Sequence, residues 1–182
     1  MVTEIVFTDE IKPAAAEVID VDADGDGGIV AWTENNGTVM KVSTQIKGMK
    51  VQAAVNSKQM FYRKEQIKKI DLKVLDTSKV TDMSSMFSYC SGLTSLDLTP
   101  LDTSKVTDMS SMFFGCGGLT SLDLTPLDTS NVTSMTQMFC ECGSLTSLDL
   151  TPLDTSNVTR MNEMFWGCDS LTSLDLTPLK TS

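Results

Sequence analysis

The strongest constraint on this chain is a run of 26 residues from Leu75 to Pro100, LDTSKVTDMSSMFSYCSGLTSLDLTP. It returns almost unchanged at Leu101–Pro126, Leu127–Pro152 and Leu153–Pro178. A period of this length marks a repeat architecture, in which one unit cannot bury its own apolar face and stacks on its neighbours. A shift of 26 residues also sets Met60-Phe61 under Met86-Phe87, Ile67 under Leu93 and Ile70-Asp71-Leu72 under Leu96-Asp97-Leu98. Residues 54–74 are therefore a degenerate first coil. The expected division is an N-terminal β cap, 1–53, and a repeat array, 54–182, with coils at 54–74, 75–100, 101–126, 127–152 and 153–178.

Within a coil, Val80, Met83, Met86, Phe87 and Cys90 are spaced by 3, 3, 1 and 3 residues. That spacing predicts one face of a short helix, with Ser78 or Thr81 as its N-cap. In LTSLDL, Leu96 and Leu98 point one way and Ser95, Asp97 and Thr99 the other. That alternation predicts one strand per coil in a single parallel sheet, closed by Pro100, which has no N–H to give. Before the array, Glu17–Val21, Ile29–Thr33 and Thr38–Ser43 alternate apolar and polar residues, and Asn36-Gly37 marks a tight hairpin. A further strand is expected at 49–55. These segments predict a small antiparallel cap over the open end of the stack.

The pattern LDTSxVTxMxxMFxxCxxLTSLDLTP, with its LxxLxL core, resembles the repeat of the BspA-like bacterial surface proteins. The stretch EVIDVDADGDGGIVAWTENNGTVMKVST is similar to the β segment preceding such arrays. The resemblance implies an α/β repeat solenoid of the leucine-rich-repeat kind: right-handed, one parallel sheet, short helices on the opposite face. It also implies adhesion, with a protein or glycan ligand, host matrix included, and a place at the bacterial cell surface or in the secreted fraction. Neither an export signal nor a wall anchor is seen, and the chain stops within a repeat at Leu179, as an excised fragment would.

Charge narrows the functions. The net charge of −10 opposes nucleic-acid binding, whose phosphates need a basic face. Residues 47–73 nevertheless carry a net +6, a basic collar on an acidic body. There is no histidine, which removes His-dependent nucleophilic catalysis and most zinc geometries. No stretch approaches the ~20 apolar residues of a membrane span. The expectation is a binding module that is not an enzyme and needs no cofactor. The alternative is a structural stalk or assembly unit, including one in a phage-like particle, with no ligand of its own.

Candidate binding residues lie where near-identical copies differ. After the core Phe stand Ser88-Tyr89, Phe114-Gly115, Cys140-Glu141 and Trp166-Gly167. Tyr89, Phe114 and Trp166 are candidate aromatic anchors, with packing against a neighbouring coil as the alternative. Asp97, Asp123, Asp149 and Asp175 form an acidic row that either gathers a basic partner or only solubilises the sheet face. Asp22, Asp24 and Asp26 occupy positions 1, 3 and 5 of an EF-hand-like loop. Thr33 stands at position 12 in place of the bidentate Glu, so a plain hydrophilic turn is favoured over a metal site. Cys90, Cys116, Cys142 and Cys168 recur at 26 residues and are expected as small buried thiols. Cys140 is expected to be exposed and reactive. The last strand has no following coil, which predicts end-to-end self-association through the C-terminal coil.

Overall fold

The computed structural model describes residues 1–20 and 28–180. Seven short strands are present: β1 (Glu4–Phe7), β2 (Ile19–Asp20), β3 (Val30–Glu34), β4 (Val39–Ser43), β5 (Val51–Gln52), β6 (Lys69–Asp71) and β7 (Leu75–Asp76). The first four and β6 form one sheet in the order β2-β3-β4-β1-β6. β3 and β4 make the expected hairpin, with Asn35, Asn36 and Gly37 at φ of 50°, 56° and 80°. The cap is not purely antiparallel, however. β1 lies parallel to both β4 and β6, so the sheet is mixed and runs directly into the first coil.

From residue 54 onward the chain climbs in 26-residue rungs. Parallel bridges join Asn56 to Asp82, Asp82 to Asp108, Asp108 to Ser134 and Ser134 to Arg160. The bonding around each bridge explains why the expected helices do not form, for there is no helix among the described residues. Alternate N–H groups leave the rung. Those of Met83, Ser85, Phe87 and Tyr89 donate to the carbonyls of Asp108, Ser110, Met112 and Phe114 on the next rung, at 3.0, 2.8, 2.9 and 2.6 Å. The intervening N–H groups of Met86, Ser88 and Cys90 close i to i+3 turns on Met83, Ser85 and Phe87. Ser85 and Tyr89 take left-handed φ of 56° and 59°, every fourth residue, and this cuts any helical run. The 3-3-1-3 spacing is thus met by consecutive turns, which place the same side chains inward.

The expected parallel sheet of LDL strands also fails to form. Only the first copy, β6, is a strand, and its partner is β1. In later rungs the Asp97 carboxylate takes the N–H of Thr99 at 3.0 Å, and Pro100 has none, so two donors of that segment cannot join a ladder. The leucine-rich-repeat solenoid of one parallel sheet backed by short helices is therefore overturned. A stack of turns joined rung to rung replaces it, headed by a mixed sheet.

The core is a set of columns. Phe61, Phe87, Phe113, Phe139 and Phe165 stack with ring centroids 5.3, 5.7, 5.7 and 5.8 Å apart, and Phe7 closes the first ring edge-on at 6.1 Å. The thiols of Cys90, Cys116, Cys142 and Cys168 each donate to the Phe carbonyl of the preceding rung at 3.1 Å. That bond explains why a small residue with a weak donor recurs there. Buried Thr77, Thr103 and Thr129 staple the opposite corner, donating to the carbonyls of Asp102, Asp128 and Asp154 at 3.0, 2.9 and 3.0 Å.

Candidate functional site: an aromatic ledge on the turn face

The position two residues before the core Cys and the one after it lie just outside the Phe column. Tyr62, Tyr89 and Phe114 meet there, across three successive rungs. The ring centroids of Tyr62 and Tyr89 are 5.9 Å apart, and those of Tyr89 and Phe114 5.1 Å. The Arg63 guanidinium sits 5.4 Å from the Tyr62 ring and 5.6 Å from the Tyr89 ring, within cation–π range. All three rings are half-buried and Arg63 is exposed. The local backbone sets this up. Tyr89 projects from a left-handed residue and its ring lies across Gly115, where an added Cβ would come within 2.7 Å of Tyr89 Cδ1. Partial burial, and next the Glu141 carboxylate, raise the Tyr89 hydroxyl above its ordinary value.

Sequence reasoning found Tyr89 and Phe114 but missed Tyr62 and Arg63, which lie in the degenerate coil. The signal was available: the same shift of 26 that aligned Met60-Phe61 sets Tyr62 under Ser88 and Arg63 under Tyr89. Trp166 does not join the ledge. It is 64% exposed on the last rung, and the rung between it and Phe114 carries Cys140 at that position. Cys140 corrects the expectation of an exposed, reactive thiol: it is 1% exposed, and burial pushes its pKa up to about 11.

The acidic row has a local structural duty. Asp97 and Asp123 accept both the N–H and the hydroxyl of the Thr two residues on, and Asp149 and Asp175 accept the N–H. Each closes the turn before the proline. These bonds hold Asp97, Asp123 and Asp175 below the usual carboxylate value: the Thr99 hydroxyl leads for Asp97, and the backbone N–H of Thr125 and Thr177 for the others. Among the described residues no group of three or more Cys, Asp or Glu could hold a metal ion. Asp22, Asp24 and Asp26 lie outside the described residues. No helix among the described residues is long and apolar enough to cross a membrane.

Fold and ledge together define a repeat protein built of stacked 26-residue turns, with an aromatic strip on one flank. The chain belongs to the family described as Mycoplasma protein of unknown function, DUF285, whose model matches residues 33–121 and 92–182. This replaces the leucine-rich-repeat and BspA-like labels, since the match is to neither. No curated protein and no solved structure matches the chain.

Proposed function

We propose that the chain is a non-enzymatic binding module whose site is the ledge of Tyr62, Arg63, Tyr89 and Phe114, and whose ligand is a protein or a glycan. One observation carries the reading. Three aromatic rings on successive rungs stay half-open to solvent beside a cation, while the phenylalanines of the neighbouring column are shut in. Rigid aromatic rings with an arginine at their edge offer large contact area at low entropic cost, the profile of binding hot spots. Absence of catalysis is supported by the lack of histidine and by thiols held protonated through burial. Display at the bacterial surface, or secretion, belongs to the same reading; protease accessibility on intact cells tests it.

A screen against matrix proteins and glycans tests the site itself. For any ligand found, Tyr89→Ala and Phe114→Ala are expected to weaken binding about tenfold or more, the scale of a hot-spot truncation. Binding unchanged in both variants removes the ledge from the account. A spacer or assembly role is the second reading, favoured by backbone bonding that runs unbroken from the first rung to the last.

A further inference from the structure

The two ends of the stack are chemically opposite. At every internal junction four N–H groups point up to the next rung and one returns, as Thr107 donates to Thr81 at 2.9 Å. On the last rung the equivalent upward donors are the N–H groups of Met161, Glu163, Phe165 and Gly167, and the equivalent acceptor is the carbonyl of Thr159. None of these five has a hydrogen-bond partner among the described residues. On the first rung the equivalent downward groups are the carbonyls of Asn56, Lys58, Met60 and Tyr62 and the N–H of Val55. These five likewise have no partner among the described residues. One edge is thus nearly all donor and the other nearly all acceptor, at the same spacing.

An ordinary β-strand edge alternates N–H and C=O, so it matches neither end. Only another rung of the same turn pattern supplies carbonyls at four alternate residues. We propose that this chain associates head to tail, the last rung of one copy docking on the first rung of a second copy. Charge agrees. The head lies in the basic collar of residues 47–73, net +6, and the last rung, 153–180, is net −2. Apolar surface agrees too. Trp166 and Leu176 are 64% and 54% exposed at the tail, and beside the head edge a cavity of about 440 Å³ opens between the sheet and the first rung, lined by Met40, Val42, Ala53 and Met60. Phe7 already closes the Phe column, so the contact is made along the rung edge and this cavity. Tail-to-tail pairing is excluded by the same chemistry, because it sets N–H against N–H. A contact between two different surfaces does not close on itself, and the product is an open chain of copies.

Two variants at exposed positions test this: a head variant, Val55→Glu with Lys58→Glu, and a tail variant, Trp166→Glu with Leu176→Glu. Both are checked for an unchanged thermal unfolding curve. Sedimentation velocity of the unaltered chain is expected to show mass rising with concentration past the dimer, and falling with added salt. Each variant alone is expected to stay monomeric. A mixture of the two is expected to form a one-to-one pair and stop, because each retains one good end. A chain lengthened by a second copy of Leu153–Pro178 moves the donor edge without removing it, and is expected to associate as before. A head variant that dimerises alone shows tail-to-tail contact and overturns the proposal. So does an unaltered chain that is monomeric at every concentration, a mixture that does not pair, or a lengthened chain that has lost association. Ligand binding at the ledge is a separate measurement, so failure of either reading is distinguishable from failure of the other.

Discussion

Replacing Ser111 by glycine separates a chain of turns from a helix by the sign of one number. Ser111 holds φ at 56°, bonds its N–H to Thr136 at 2.8 Å, and has no side-chain hydrogen bond. An L-residue in that conformation costs ~1–2 kcal/mol, and glycine relieves it. Glycine returns ~0.5–1 kcal/mol through the greater freedom of its unfolded chain. The net is a stabilisation on the order of 0.5–1 kcal/mol. In a helix the same substitution would destabilise by about 1 kcal/mol or slightly less. Urea denaturation with an unchanged slope reads the difference directly from the midpoint. Ser110→Gly is the control. Ser110 has an ordinary φ and shares a hydroxyl contact of 2.6 Å with Ser134, so its loss is expected to destabilise. Destabilisation by both glycines would refute the turn argument.

Other outcomes follow from the columns and corners. Phe113→Ala, fully buried between two stacked rings, is expected to cost ~3–5 kcal/mol, and Phe165→Ala, half-buried with one ring neighbour, clearly less; equal shifts in urea midpoint would contradict the column. Burial holds the Cys90 and Cys142 thiols up at about 11 and about 12, so alkylation of the folded protein at pH 8 is expected to reach Cys168 first and the buried thiols only at the unfolding rate. Turn hydrogen bonds from Ser78, Ser104, Ser130 and Ser156 lower Asp76, Asp102, Asp128 and Asp154 from an ordinary 3.8. A carboxylate lowered on folding contributes fully above its unfolded value and loses that contribution as pH falls through the folded one. The urea midpoint should therefore hold steady from about pH 5 to 8 and fall below about pH 4. Asp128→Asn, which keeps an acceptor, should flatten that fall.

The repeat, its period and its inward residues were legible because side-chain spacing reports burial directly. Val80, Met83, Met86, Phe87, Cys90 and Leu93 are all buried. What spacing does not report is where the backbone N–H groups go. A helix and a run of i to i+3 turns place those six residues alike, and differ in whether alternate donors stay home or cross to the next rung. That choice depends on the neighbouring rung, which no local window contains. One trace of it was present. The position of Tyr89 is glycine in two of four copies, Gly115 and Gly167, as a left-handed backbone would favour. The ledge was half legible for a related reason: copies that differ draw attention, but a degenerate coil hides its own differences, and Tyr62 and Arg63 were lost there.

Backbone bonding between rungs also explains how a ledge can arise without disturbing the stack. Positions 82, 85 and 89 and their equivalents vary, yet each carries the same bridge or left-handed residue in every rung. The side chain there is free to change because the backbone holds the rung. The freedom has one condition, visible in pairs. Tyr89 is followed one rung on by Gly115, and Glu141 by Gly167, so a long side chain always lies over a glycine. Gly115→Ala breaks the condition twice, adding left-handed strain of ~1–2 kcal/mol and a Cβ 2.7 Å from the Tyr89 ring. Glu141→Tyr respects it: Glu141 is exposed, shares the φ of 59° found at Tyr89, and has Gly167 beyond it. The expected outcome is a chain of unchanged stability by urea denaturation whose ledge is lengthened by one ring, and which binds a ledge ligand more tightly. A marked loss of stability in Glu141→Tyr would show that the pairing of long residue with glycine is not what governs this face.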